Sequence, residues 1–155
     1  MGRIRQSEID EDDFIEINQD EEEIDDSQWK SKEREIFTST IEYSLPSLAR
    51  LIERKKINLV PKYQRRYRWD TKRQSKLIES FIMRVPIPPI YLNEDRKGNF
   101  SVIDGKQRLN AIADFFAGKI KLEGLQVFTD LNGMNINDLP PDISDDLASI
   151  PTLRA

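Results

Sequence analysis

The stretch SVIDGKQRLNAIADFF, residues 101–116, contains a short alternating segment, a turn dipeptide and an amphipathic segment in immediate succession. Alternation over its first residues is typical of a β-strand, and Asp-Gly is a common turn sequence. The apolar residues beyond the turn are spaced as on one face of a helix, which Gly118 would end in the left-handed conformation. We therefore predict a strand–turn–helix junction. Its predicted buried helix face consists of Leu109, Ile112, Ala113 and Phe116.

The residues at this junction suit a phosphate-bearing ligand. The first turn of a helix has backbone N–H groups without intrahelical partners and a partial positive charge, so it attracts anions. Gly105 lets the backbone come close to a ligand, and Lys106 and Arg108 add charged donors for phosphate oxygens. Gln107 can donate to an oxygen or orient a water. Asp104 can bind magnesium, act as a base, or clamp Arg108 or a ribose hydroxyl. A structural interpretation stays open, because Asp is also a good helix N-cap.

A second unusual segment, YQRRYRW at residues 63–69, alternates aromatic and arginine residues without a helical stripe. Arginines offer charge to phosphates, and aromatic rings offer faces for base stacking, worth about 1 to 3 kcal/mol per base. The competing interpretation places Trp69 and the two tyrosines in or over the core. Asp70 is the only carboxylate near these arginines in sequence, so we expect an anion to neutralise them.

The rest of the chain alternates short strands and helices. Strands are predicted at residues 35–43, 57–60, 90–95, 99–104 and 120–128, with a hairpin turn at 97–99. Ser44 would cap one helix that has Pro46 in its first turn. A second helix buries Leu77, Ile78, Phe81 and Ile82, and a short acidic helix lies within residues 139–151. This order predicts an α+β fold, a small mixed sheet with flanking helices, over residues 35–155.

The composition excludes several kinds of chemistry. The 155 residues contain no cysteine and no histidine, which excludes disulfides, thiolate nucleophiles, zinc sites of the usual kind and Ser-His-Asp triads within them. No apolar run approaches the roughly 20 residues that cross a bilayer, and the acidic N-terminus lacks the features of a signal peptide. We expect a cytoplasmic protein with no membrane partner.

Charge is strongly separated along the chain, although the net charge is only −4. Residues 1–35 contain 14 acidic and 5 basic side chains, whereas residues 50–84 contain 3 and 12. The run DEEEIDD, residues 20–26, repels itself, so we predict that residues 1–34 form a disordered acidic arm. The alternative is an arm that covers the basic segment or mimics a polyanion. The final residues, PTLRA, lack the composition of a tail, which is consistent with a domain truncated at its C-terminal end.

Two motifs together resemble a known family. LVPKYQRRYRW, residues 59–69, followed by VIDGKQRL, residues 102–109, resembles the N-terminal domain of GmrSD-type modification-dependent restriction endonucleases and related phage-defence proteins. That family is marked by an I-P-x-Y-Q-R-x-Y-x-W segment and a D-G-Q-Q-R-L motif. The resemblance extends from residue 36 to about residue 140. It implies a fold similar to ParB and sulfiredoxin, NTP hydrolysis at the D-G-Q-Q-R segment, and a separate C-terminal nuclease domain of HNH type.

Carried over residue by residue, the later motif falls on Asp104, Gly105, Gln107 and Arg108, and the earlier one on Pro61, Tyr63, Gln64, Arg65, Tyr67 and Trp69. The chain departs at Lys106, where the pattern has Gln, and at Val60, where it has Ile. Lys106 adds a charge that suits phosphate, but it puts the role of the first Gln in question. Without histidine these residues cannot form an HNH nuclease, so the nuclease is expected outside this chain.

The leading hypothesis is a module that binds and hydrolyses an NTP with Mg²⁺ and controls a nuclease within an antiphage restriction protein acting on DNA. The predicted catalytic residues are Asp104, Gln107 and Arg108, with Asp104 also the metal ligand. The predicted nucleotide-binding residues are Gly105, Lys106, Arg108, Gln64, Arg65 and Tyr63. The alternative is a non-catalytic DNA-binding or adaptor module that uses the basic segment at residues 50–84.

If the acidic arm covers the basic segment, deleting residues 1–30 will raise the affinity of the chain for polyanions, because a competing internal charge is removed. The salt concentration that elutes the chain from a heparin column measures this affinity. An unchanged elution position would exclude the covering arm and leave the solvated one.

Overall fold

The computed structural model describes residues 38–59, 68–149 and 151–155. The fold described below belongs to the compact unit Ser39–Ala155. The predicted acidic arm lies outside the described residues, as does the beginning of the first predicted strand. Three predicted nucleotide-binding residues, Tyr63, Gln64 and Arg65, lie outside them as well.

The described part of the chain alternates helices with short strands. In order, the elements are β1 (Glu42–Ser44), α1 (Leu45–Glu53), β2 (Ile57–Asn58), α2 (Thr71–Ile82), β3 (Tyr91–Glu94), β4 (Phe100–Asp104), α3 (Lys106–Phe116), a 3₁₀ turn (Thr129–Leu131), α4 (Pro141–Ser149) and β5 (Thr152–Arg154). The predicted α+β class is confirmed, while the closer likeness to ParB and sulfiredoxin stays a prediction. None of these described helices is long and apolar enough to traverse a bilayer.

The strands form two small sheets. In the three-stranded sheet, β4 lies between β2, to which it is parallel, and β3, to which it is antiparallel. The predicted hairpin between β3 and β4 is confirmed, since the Asp95 carboxylate accepts hydrogen bonds from the backbone N–H groups of Lys97 and Asn99. The second sheet pairs β1 with β5, and Tyr43 lies opposite Leu153. The final residues are therefore part of a strand.

The first two helices begin as their sequences indicate. Ser44 Oγ accepts a hydrogen bond from the Ser47 N–H at 3.3 Å, and Pro46 lies in the first turn of α1. The Asp70 carboxylate caps α2 by accepting from the Arg73 N–H at 2.9 Å. The predicted apolar face of α2 is confirmed: Leu77, Ile78 and Phe81 are buried, and Ile82 is partly buried.

The buried face of α3 differs from the predicted one. Its fully buried apolar residues are Leu109, Ala111, Ile112 and Phe115. Ala113 and Phe116, which the spacing assigned to the core, are only partly buried. The reason is that both α1 and α2 pack against α3. The buried face of α3 is therefore wider than a single apolar stripe, and it is rotated around the helix axis relative to the predicted face.

The predicted strand at residues 120–128 is wrong, because this segment is irregular. Several of its backbone donors bind side chains instead of a neighbouring strand: the Leu125 N–H donates to Asn132 Oδ1, and the Val127 N–H donates to Glu79 Oε1. Gly124 has a φ of +70°, which interrupts extended geometry. The apolar residues of the segment still enter the core, where Leu122 is fully buried.

Gly105 joins β4 to α3 in the left-handed conformation, with a φ of +97°. A Cβ at this position would lie 2.4 Å from Ile90 Cγ2 and 3.1 Å from Arg108 Nη2. Ile90 is fully buried and cannot move aside without disturbing the core. Both the backbone conformation and the available space therefore require glycine here.

We expect Gly105→Ala to lower the free energy of unfolding by about 2 to 4 kcal/mol, since it adds overpacking to left-handed strain. Gly133→Ala is the matched control: its φ is +86°, but a Cβ there meets nothing within 4 Å. The control should therefore cost only about 1 kcal/mol. Urea unfolding of both variants measures the difference, and equal losses would show that the contact with Ile90 is unimportant.

Candidate functional site

The first turn of α3 has no side-chain cap. Its N-cap residue is Gly105, and no side chain among the described residues makes a capping hydrogen bond there. The Asp104 side chain is 67% exposed, and its Oδ2 atom lies 3.7 Å from Arg108 Nη2. Asp104 is therefore not the helix cap that the structural interpretation suggested. The partial positive charge of the helix N-terminus is left without a capping side chain.

The Arg108 side chain is mostly buried and binds another part of the domain. Its Nη2 donates a hydrogen bond to the Pro89 carbonyl oxygen at 3.0 Å, and its side chain is only 17% exposed. Its Nε is buried and has no hydrogen-bond partner in the part of the chain that the structure describes. A buried donor without a partner costs about 1 to 3 kcal/mol. Arg108 thus fastens the segment before β3 to the start of α3 and retains one unused donor.

Lys106 is the first residue of α3 and is partly buried. Burial lowers the pKa of its ammonium group below the ordinary value of 10.5. Within the described ranges this ammonium has no ion-pair or hydrogen-bond partner. An anion bound beside it would offset the cost of removing the charge from water.

A hydrogen bond between Gln107 and Trp69 brings the two sequence motifs together. Gln107 Oε1 accepts from the Trp69 backbone N–H at 3.0 Å. The Trp69 ring is partly buried and packs against the core, as the competing interpretation predicted for it. The end of the aromatic and basic segment therefore lies next to the first turn of α3.

Arg68 has an internal partner, contrary to the expectation that it requires an external anion. Its Nη2 lies 2.5 Å from Asp114 Oδ2, and the same oxygen accepts a hydrogen bond from Gln74 Nε2 at 3.1 Å. The Asp114 side chain is 12% exposed, whereas that of Arg68 is 64% exposed. Asp114 is 46 residues away in sequence, which is why a local search for carboxylates missed it. Its one available signal was an acidic residue inside the apolar run AIADFF, residues 111–116.

A cleft of about 570 Å³ opens along α2 on the side of Trp69. Its lining residues include Arg68, Trp69, Lys72, Arg73, Lys76 and Gly124. The Arg73 guanidinium lies over the Trp69 ring, 6.0 Å from its centroid. Of the described residues that line this cleft, none comes from the first turn of α3, so the predicted phosphate site and the cleft are separate features.

Glu79 lines the cleft and binds the backbone of residues 126–128, of which Gln126 also lines it. Its carboxylate accepts from the backbone N–H groups of Val127 at 2.8 Å, Phe128 at 3.0 Å and Gln126 at 3.4 Å. Burial by itself would raise the pKa of Glu79, but the three backbone donors outweigh it and lower the pKa below 4.5, helped by the charge of Lys76. The ionised carboxylate thus organises the irregular segment that replaces the predicted strand.

The structure brings five predicted site residues into one turn: Asp104, Gly105, Lys106, Gln107 and Arg108. It does not describe Tyr63, Gln64 or Arg65. Among the described residues, no group of three or more acidic side chains is placed to hold a metal ion together. Asp114 and Glu79 are the functional neighbours that sequence reasoning missed, because both act over long sequence separations.

The candidate site belongs to a small α+β domain. Its central strand, β4, leads through the left-handed Gly105 into α3, whose first turn has no described side-chain cap and contains Lys106 and Arg108. A comparison with protein families matches residues 48–149, more than half of the chain, to the family described as the GmrSD restriction endonuclease, N-terminal domain. The chain belongs to this family of restriction-defence modules, and the predicted resemblance is confirmed. Comparisons with curated proteins and with solved structures find no match.

We expect Glu79→Gln to lower the free energy of unfolding by about 2 kcal/mol at neutral pH, because charge-assisted bonds to three backbone donors are weakened. The folded-state pKa lies below the ordinary 4.5, so the stabilisation is complete above that pH and disappears as pH falls through the folded-state pKa. Urea unfolding from neutral to acidic pH measures it. Glu123→Gln, an equal charge change at an exposed residue of the same segment, is the control. A gap between wild type and Glu79→Gln that stays constant with pH would contradict this role.

Proposed function

We propose that this domain binds a nucleotide through its phosphates at the start of α3 and hydrolyses it. The observation that carries the proposal is an uncapped helix N-terminus at which Lys106 is partly buried and has no described partner. Helix N-termini with adjacent cations are well suited to phosphate groups, since backbone N–H groups and full charges act on the same oxygens. Membership of a restriction-defence family supports a regulatory role for such a site.

Each residue of the turn has a distinct proposed role. Lys106 and the backbone of the first turn hold phosphate oxygens, while Arg108, whose Nε is buried, fixes the turn through the Pro89 carbonyl oxygen. The side-chain oxygen of Gln107 is engaged by Trp69, so we assign Gln107 a positioning role in place of the predicted water-orienting one. Gly105 serves by its conformation, which directs α3 and keeps side-chain atoms out of the turn.

Asp104 is the proposed ligand for Mg²⁺. Its carboxylate is 67% exposed, and Mg²⁺ at nucleotide sites takes one or two carboxylates together with substrate phosphates, so a single acidic residue fits. The bound ion would neutralise charge that develops on the phosphates during hydrolysis. The contribution of the protein is then mainly to position the phosphates and to supply positive charge.

In the whole restriction protein, we propose that nucleotide binding and hydrolysis control a nuclease that lies outside this chain. A nucleotide that binds one arrangement of the domains more tightly than another shifts the population toward that arrangement. Hydrolysis removes the shift because the product makes fewer phosphate contacts. The domain is thus a regulator of DNA cleavage.

Thermal unfolding and phosphate release with ATP, GTP, CTP and UTP, each with and without Mg²⁺, test the proposal. A nucleotide at a hundredfold excess over Kd stabilises the folded chain by about 2.7 kcal/mol. Lys106→Ala should weaken its binding roughly tenfold or more, since a charge-assisted hydrogen bond is lost. Lys106→Gln, the residue of the family motif, should retain turnover.

Lys119→Ala is the matched control, because Lys119 is an exposed lysine beyond the opposite end of α3. Lys106 is a cleaner test than Arg108, whose removal also releases Pro89. Equal nucleotide affinity in the Lys106 and Lys119 variants would contradict the site. Stabilisation without phosphate release from any of the four nucleotides would contradict hydrolysis and leave binding intact.

A further inference from the structure

The cleft along α2 carries positive charge that the described fold does not use. Lys72 and Lys76 are one helical turn apart, line the cleft and are both exposed. Neither ammonium group forms a salt bridge or a hydrogen bond with the described residues. Side chains four residues apart on a helix lie about 5 to 6 Å from each other at Cβ, so the two charges act on one ligand.

The carboxylates of the cleft are already occupied. Asp70 caps α2 through the Arg73 N–H, and Glu79 accepts from three backbone donors of residues 126–128. Neither carboxylate forms a salt bridge with Lys72 or Lys76 among the described residues. Lys76 is nevertheless close enough to Glu79 to help lower its pKa. The cleft consequently presents more unpaired positive than negative charge to a ligand.

The same cleft contains a fixed aromatic wall. Gln107 holds the Trp69 backbone, and Asp114 holds the neighbouring Arg68. The exposed Arg73 guanidinium lies over the Trp69 ring, 6.0 Å from its centroid, so a base that stacks on this face takes its place. An indole fixed in this way loses little conformational entropy when a flat ligand packs against it. Positively charged side chains that bind phosphates and aromatic side chains that stack on bases occur together in sites for single-stranded nucleic acids.

We propose that the cleft along α2 binds a single-stranded stretch of nucleic acid, with its phosphates on Lys72 and Lys76 and a base against Trp69. A duplex would offer phosphates but would keep its bases stacked inside, so Trp69 would be unused. An acidic peptide would use the lysines but has no base to place against the indole. The cleft volume of about 570 Å³ is within the range of pockets that hold small organic ligands, which is sufficient for one nucleotide unit.

Fluorescence anisotropy of the full chain with a labelled oligothymidylate of about 12 nucleotides tests this proposal. A plot of log affinity against log salt concentration should become less steep, by about 0.7 for each lysine removed, in Lys72→Ala/Lys76→Ala. Arg96→Ala/Lys97→Ala, an equal charge change on the exposed β3–β4 turn, should leave the slope unchanged. Trp69→Leu should weaken binding roughly 5- to 150-fold, and Trp69→Phe should retain most of it.

Three outcomes would overturn the proposal. The first is equal affinity for the oligothymidylate in both double variants. The second is equal binding of a duplex or of polyglutamate with the same number of charges, since the base would then make no difference. The third is the absence of oligothymidylate binding by the wild-type chain at low salt. Circular dichroism and thermal unfolding of each variant establish that it is folded.

The cleft and the proposed nucleotide site use different lysines, so the two proposals can fail separately. Lys72→Ala/Lys76→Ala should leave the nucleotide-induced thermal shift unchanged, because neither lysine belongs to the first turn of α3. Oligothymidylate binding that persists when no nucleotide stabilises the chain would support the cleft and contradict the proposed function. Thermal stabilisation by a nucleotide without oligothymidylate binding would support the proposed function and contradict the cleft.

Discussion

The contact between the left-handed backbone of Gly105 and the buried side chain of Ile90 sets the direction in which α3 leaves the sheet. The chain reverses from β4 into α3 through this one residue, and no Cβ can be accommodated there. The body of α3 then packs against α1 and α2, and its N-terminus stays at the end of the central strand β4. A different side chain at this position would move the helix end, and with it every donor of the proposed phosphate site.

Two acidic side chains organise the positively charged surface from inside. Asp114 holds Arg68 and Gln74, and Glu79 holds the backbone of residues 126–128. Each is nearly buried, and each accepts several hydrogen bonds, so the cost of burying its charge is offset. The lysines that remain exposed are consequently available to ligands. In the described part of the domain these buried acids fix the positions of Arg68 and of residues 126–128, and the exposed lysines that we propose as ligand contacts lie on α2.

Trp69 lies between the two candidate sites. Its backbone N–H is bound to Gln107 in the first turn of α3, and its ring forms part of the cleft along α2. Trp69 is therefore a structural element that both proposed sites share.

Local features of the fold followed from the sequence alone, because each depends on residues close together in the chain. The Ser44 cap, the β3–β4 hairpin and the Asp104–Gly105 junction are of this kind. The family was identified from two motifs in the right order, at residues 59–69 and 102–109. Other features depended on tertiary packing. Neighbouring helices selected which side of α3 is buried, and Glu79 turned an alternating segment into an irregular loop. The partners of Arg68 and Trp69 come from α3, far away in sequence. No local pattern contains such contacts, because their energy exists only once distant segments have packed together.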